Sequence, residues 1–154
     1  MTREPEPPHR LHTRADVVAI ARQWLGTPYH HQASRMGVGA DCLGLVRGVY
    51  RELYGFDAAT PPPYSRDWAE ASGIETMLEG ARRHLVEIAT AEARAGDVVV
   101  FRWRPGYPAK HAAILSASDR MIHATEHCLT AEVSYAGWWR RHATAAFAFP
   151  GTRL

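Results

Sequence analysis

The hydrophobic periodicity of this chain changes near residue 85, and that change restricts the folds open to it. Upstream, apolar residues recur at helical spacing. Val17, Val18, Ala21, Trp24 and Leu25 form one face, and Cys42, Leu45, Val46, Val49, Tyr50 and Leu53 form another. Downstream, short β-rich runs alternate with turn residues, beginning with Val98-Val99-Val100-Phe101-Arg102-Trp103. Helices followed by a meander of strands is the order of an α+β fold with N-terminal helices packed on an antiparallel sheet. At 154 residues the chain suits one domain around one core.

The punctuation sets the expected elements. Thr13 and Asp16 form a capping-box-like start to a helix that Gly26 and Pro28 end near Leu25. A second helix runs from Cys42 to Tyr54 and stops at Gly55. A third is expected over Ser72 to Leu85, with Ser72 and Glu75 as its capping box. Strands are expected over Val98–Trp103, His111–Leu115, Met121–Thr125, Thr130–Tyr135 and Ala145–Phe149, with a tight turn at Ser118-Asp119-Arg120. Residues 1–12 read as a flexible arm, 13–154 as the folded domain, and Pro61-Pro62-Pro63 as an extended surface segment.

Composition excludes several functions. A net charge of +2 gives no electrostatic footprint for nucleic acid. No apolar run is long enough to insert into a membrane. Met1 to Pro8 is charged and proline-rich, without the apolar core of a secretory signal, so synthesis in the cytoplasm is expected. The two cysteines, Cys42 and Cys128, are too few for a disulfide scaffold and read as free thiols.

The chemistry concentrates on Cys42, placed at a helix start just after Asp41, which can cap it. A helix N-terminus carries partial positive charge, so the thiol is expected to ionise readily and to be alkylated faster than Cys128. A thiol nucleophile needs an imidazole on a rigid element and a polar group to orient it. His111 opens one predicted strand and His123 lies on the next, so a His–His hydrogen bond is within reach. The Cys42 N–H is a candidate oxyanion donor. A competing pattern is His123-Ala124-Thr125-Glu126-His127, the inverted zinc-protease motif, which needs a helix to bring both histidines to one metal.

These residues resemble the NlpC family of cell-wall peptidases, a branch of the papain-like cysteine hydrolases. The similarity runs from about Ala15 to Ala124 in five ordered segments. Gly26-Thr27-Pro28-Tyr29 resembles a Gly-x-Pro-Tyr segment, and Asp41-Cys42-Leu43-Gly44-Leu45-Val46 resembles the Asp-Cys-Ser-Gly-Leu-Val nucleophile motif. Ala95-Gly96-Asp97-Val98-Val99-Val100-Phe101 resembles the Gly-Asp-Leu-Val-Phe-Phe strand. His111-Ala112-Ala113-Ile114-Leu115 and Ile122-His123-Ala124 resemble the segments that hold the base and the third residue.

The resemblance implies a papain-like fold, Cys42 as nucleophile, His111 as base and His123 as its orienting residue, with no cofactor and no metal. It implies Tyr29 and Asp41 as substrate-binding residues and peptidoglycan stem peptides as substrate, typically cut between D-glutamate and diaminopimelate. Leu43 stands where the family usually has Ser, which leaves the scissile bond open. The lack of an export signal resembles members carried on phage tails or gene-transfer particles, so delivery to the cell envelope by tail or baseplate-like partners is expected. The alternative of another class is a catalytically silent binding module of a tail tip. Trp138-Trp139-Arg140-Arg141 reads either as a partner-facing patch or as a core strand.

Overall fold

The computed structural model describes residues 12–58 and 75–152. Residues 1–11 of the arm, the Pro61-Pro62-Pro63 segment and Ser72 lie outside the described residues.

Helix α1 spans Arg14–Gln23, and its start is a complete capping box between Thr13 and Asp16. A two-stranded ribbon of β1 (Ser34–Arg35) and β2 (Gly39–Ala40) leads into α2 (Cys42–Tyr54), which ends at Gly55 in the left-handed conformation. Helix α3 (Thr76–His84) begins after Glu75, whose side chain makes no cap. Glu75 pairs with Arg102 and accepts the Ala109 N–H at 3.0 Å, and the helix starts at Thr76 rather than at Ser72 as expected.

The remaining elements build one antiparallel sheet. Its strands are β3 (Val86–Ile88), β4 (Val98–Phe101), β5 (His111–Ala117), β6 (Arg120–His123), β7 (Ala131–Ser134) and β8 (Ala143–Ala148), in the order β3-β8-β4-β5-β6-β7. The sheet and the helices preceding it make the α+β class read from the periodicity. Two elements escaped that reading. Strand β3 has only three residues, too few to display alternation. Trp138–His142 is a short helix, α4, where a core strand was one of the two expectations.

The sheet is apolar on both faces. Helices α1 and α2 cover one, burying Val17, Ala21, Trp24, Leu45, Val49 and Leu53 against Val98, Val100, Ile114, Ile122 and Phe147. The other face carries Val99, Phe101, Ala113, Leu115, Met121 and Ala146, with Trp139 of α4 packed against it. Two-sided burial explains why β4 reads as a continuous apolar run.

Asp97 ties the helical layer to the sheet. Its fully buried carboxylate accepts from Arg14 Nε at 3.0 Å and from the Arg94 N–H at 2.9 Å. Gly96 beside it has φ +95°, and a Cβ there would lie 2.6 Å from the Arg14 carbonyl oxygen. The Gly-Asp pair is therefore a packing device with a backbone requirement.

Among the described residues, no helix is long and apolar enough to cross a membrane.

Candidate active site

Cys42 is held at the first position of α2 by a doubly bonded cap. Asp41, only 4% exposed, accepts the Gly44 N–H on Oδ1 at 2.7 Å and the Gln32 N–H on Oδ2 at 2.8 Å. Gln32 has φ 65°, unusual for a residue with a side chain, and from that conformation its amide reaches the cap.

The Cys42 thiol meets β5 on either side of His111. Sγ donates to the Lys110 carbonyl at 3.8 Å, and the Ala112 amide acts on the sulfur. The backbone amides of Cys42 and Leu43 pull the pKa down, as a helix N-terminus should. Loss of water on burial, then the Asp41 carboxylate, outweigh them and push it up to about 12. Together these favour the thiol at rest, in the direction opposite to the ready ionisation expected of a helix N-terminus. The same carboxylate that fixes the helix start opposes the charge.

This reverses the expected labelling order. Cys128 is exposed and Cys42 half-buried. Iodoacetamide at pH 7 is expected to modify Cys128 well before Cys42, with a slow Cys42 rate that keeps rising as pH climbs past 9, read by peptide mapping. A Cys42 rate that levels off near neutral pH would contradict the assignment.

His111 and His123 meet with Nε2 of the first 3.0 Å from Nδ1 of the second. They are not directly opposite. Ile114 pairs with Ile122 and Leu115 with Met121, so one step further sets His123 against Ala113 and leaves His111 on the diagonal. Diagonal pairs lie within reach of ring side chains. Both are buried, at 4% and 6% exposure. Burial, then the neighbouring His123, lowers the His111 pKa to about 3, and burial lowers that of His123 to about 4. Two neutral rings sharing one hydrogen bond have a defined tautomer pair. If His111 is to take a proton on Nδ1, its Nε2–H must donate to His123.

Those shifts predict an acid-labile fold. Both folded pKa values lie below the ordinary 6.5, so between them the unfolded chain binds more protons. Stability is full above pH 6.5 and is lost as pH falls toward the folded values. His111 alone is expected to cost about 1.4 kcal/mol per pH unit in that window. Urea titrations at pH 7.0, 6.0 and 5.0 check this, and an unchanged midpoint would refute it.

The two halves of the site belong to different faces of the sheet. Cys42 packs with the helix-side cluster, whereas the His111 ring touches Phe101 and Trp139 on the other side. His111 is the first residue of β5, at the end of the sheet, and Cys42 Sγ reaches that end through the Lys110 carbonyl just before it.

The aromatic surroundings of the histidines were not anticipated. Trp103 stacks on His111, and Trp139 contacts both rings. The adjacency of Trp138 and Trp139 was the available signal. Trp138 is 41% exposed.

Tyr29 is placed by backbone lacing. Pro28 bridges to Leu129, Tyr29 bridges to Ala40, and Gly26 and Thr27 exchange bonds with Thr130. Tyr29 and Pro28 line a cleft of about 340 Å³ with Glu126, His127, Cys128 and Leu129. His123 ends a strand and Glu126 and His127 follow in a turn, so the helical spacing of a zinc-protease motif is not formed. Among the described residues, no group of three or more His, Cys, Asp or Glu is placed to hold a metal.

Comparison with known proteins adds to the geometry. The NlpC/P60 family model matches residues 26–148. The γ-DL-glutamyl hydrolase of Bacillus subtilis is 28% identical over 109 residues, 71% of this chain but only 22% of that protein, so the chain spans about a fifth of this relative. The crystal structure of the NlpC/p60 domain of the peptidoglycan hydrolase SagA matches with a TM-score of 0.65 and 24% identity, over 90% of this chain and 100% of that one. An NlpC/P60 family protein from Bacillus cereus also gives a TM-score of 0.65, at 19% identity, over 91% of this chain and 41% of that one. These structural likenesses are likenesses of fold.

Proposed function

The chain belongs to the NlpC/P60 family, and on that premise we propose that it is a cysteine peptidase hydrolysing amide bonds in peptidoglycan stem peptides. The observation that carries this reading is the buried His111–His123 pair at 3.0 Å, set where the N-terminus of α2 brings the Cys42 thiol against β5. The likeness to a γ-DL-glutamyl hydrolase supports a glutamyl amide as the bond cut, with diaminopimelate on the leaving side.

The raised thiol pKa and lowered imidazole pKa favour proton transfer coupled to attack over a standing ion pair. Cys42 Sγ bonds to the substrate carbonyl carbon as its proton passes to His111 Nδ1. The charge developing on the carbonyl oxygen is met by the Cys42 N–H. The C–N bond breaks, the amine leaves with the proton from His111, and a thioester remains. Water deprotonated by His111 then hydrolyses it. His123 accepts the Nε2–H of His111 throughout, and Asp41 and Tyr29 bind the substrate. A phage tail or gene-transfer particle delivers the enzyme to the envelope in this reading, through tail or baseplate-like partners.

Purified sacculi treated with the intact protein test the reading. The expected products are stem fragments with a new diaminopimelate amino terminus, by mass spectrometry, blocked by thiol alkylation and unaffected by chelators. Loss on chelation alone would favour a metal enzyme. No cleavage by the protein, free or in its particle, would favour a binding module.

A further inference from the structure

The mechanism makes His111 transiently cationic in a place with little to stabilise a cation. It is buried, and its hydrogen-bond partner is a neutral imidazole where many triads place a carboxylate. Charged groups on the packed elements are engaged elsewhere. Asp41, the cap before α2, is bonded to the Gly44 and Gln32 amides, Glu75 before α3 pairs with Arg102, and Arg140 on α4 donates to the Ser118 carbonyl at 2.8 Å. Lys110 precedes the ring in sequence and adds no negative charge.

Electron-rich rings do face it. The Trp103 centroid lies 5.3 Å from that of His111 with the planes 25° apart, and Trp139 lies at 5.4 Å and 34°. The two indoles are 5.8 Å from each other, so with His111 the three rings form a close triangle. Trp139 also meets His123 at 5.1 Å and 88°, which makes it the ring in contact with both imidazoles. Phe101 backs Trp139 at 5.1 Å. A cation within about 6 Å of an indole face is attracted by the ring quadrupole, more strongly where water is excluded.

We propose that Trp103 and Trp139 form an aromatic cradle that positions the His111 ring and stabilises the imidazolium it becomes during catalysis. This rests on the reading of His111 as the base. The cradle fixes the ring plane so that Nε2 stays on His123 and Nδ1 stays available to the thiol. It supplies by polarisation part of what a carboxylate would supply by charge. It also assigns a role to Trp139, which the sequence left undecided between surface and core.

Site-specific replacement of Trp103 or Trp139 in the full chain by mono-, di- and tetrafluorotryptophan tests this, because fluorination drains the ring face with little change of shape. On a soluble stem peptide, kcat is expected to fall stepwise, to about tenfold at tetrafluorotryptophan, with KM unchanged. A second readout needs no peptidoglycan. The alkylation rate of Cys42 at pH 7, with Cys128 as internal reference, is expected to fall in the same order, because His111 must accept the thiol proton. If the protein cleaves no stem peptide yet the Cys42:Cys128 ratio falls with fluorination, the cradle stands and the functional reading fails. If stem peptides are cleaved and neither kcat nor the ratio responds to fluorination, the indoles are packing alone and the cradle is wrong.

Discussion

Replacing Cys42 by Ala is expected to lower cleavage of stem peptides by about a thousandfold or more, with little change in stability. Removing the attacking atom of a covalent mechanism leaves only binding and oxyanion stabilisation. The thiol is half-buried and the hydrogen bond it donates, 3.8 Å to the Lys110 carbonyl, is long, so its loss should cost the fold no more than about 1 kcal/mol. Cys42→Ser should be almost as inactive, because burial beside Asp41 disfavours an alkoxide even more than a thiolate. His123→Ala should fall between these and the native protein, since it removes the orienting partner and leaves the base. Muropeptide analysis by mass spectrometry and a thermal melt read both sides of the claim. A Cys42→Ala protein that melts normally and still cleaves would eliminate Cys42 as nucleophile.

Gly44→Ala is expected to be the most destabilising single-methyl change near the site. A Cβ at Gly44 would lie 1.8 Å from the carbonyl oxygen of Ala33. That carbonyl cannot swing away freely, because it accepts the Asp41 N–H at 3.3 Å, and Ser34 Oγ donates to the Gly44 carbonyl at 2.6 Å. The loop before β1 is thus pressed against the first turn of α2, backbone to backbone. Overpacking of this kind costs about 3 kcal/mol or more, which for a domain of this size lowers Tm by roughly 6–12 °C. The strain falls on Asp41 and Cys42, so residual activity should drop with stability. Gly80→Ala in α3 is the control. Nothing lies within 4 Å of its added Cβ, and the change should be neutral or stabilising by up to about 1 kcal/mol. Equal melting of the two variants would refute the packing account.

The Gly44 result converts a motif into physics. In Asp41-Cys42-Leu43-Gly44, the Asp is the cap, the Cys is the first helical residue, and the Gly is where another segment crosses. The same holds for Gly96-Asp97, where the glycine admits the backbone of Arg14 and the aspartate anchors its side chain. Both patterns were visible in the sequence, but their reasons were not, because each depends on a segment distant along the chain.

Elements governed by local rules were legible. The bounds of α2 follow from Asp41 and Gly55, and the start of α1 from Thr13 and Asp16. The β5–β6 hairpin follows from two apolar runs around a tight turn, and with it the approach of His111 to His123. Short elements were not legible, because β3 and α4 are too brief to show a period.

The sequence by itself determined the fold class, the helix start that carries Cys42, and the order of thiol, first imidazole and second imidazole along the chain. Each depends on capping, periodicity or turn chemistry, which act over a few residues. The tertiary structure alone decided the surroundings of that thiol and the company the histidines keep. A helix N-terminus favours the thiolate wherever it stands. Only the packing of α2 against β5 reveals that the thiol is drawn partly out of water and that the Asp41 cap opposes the charge, both of which push its pKa up. Only the folding of α4 back over the sheet brings Trp139 onto His111 and His123. Desolvation and ring contacts are properties of segments brought together from far apart in the chain, and no local pattern records them.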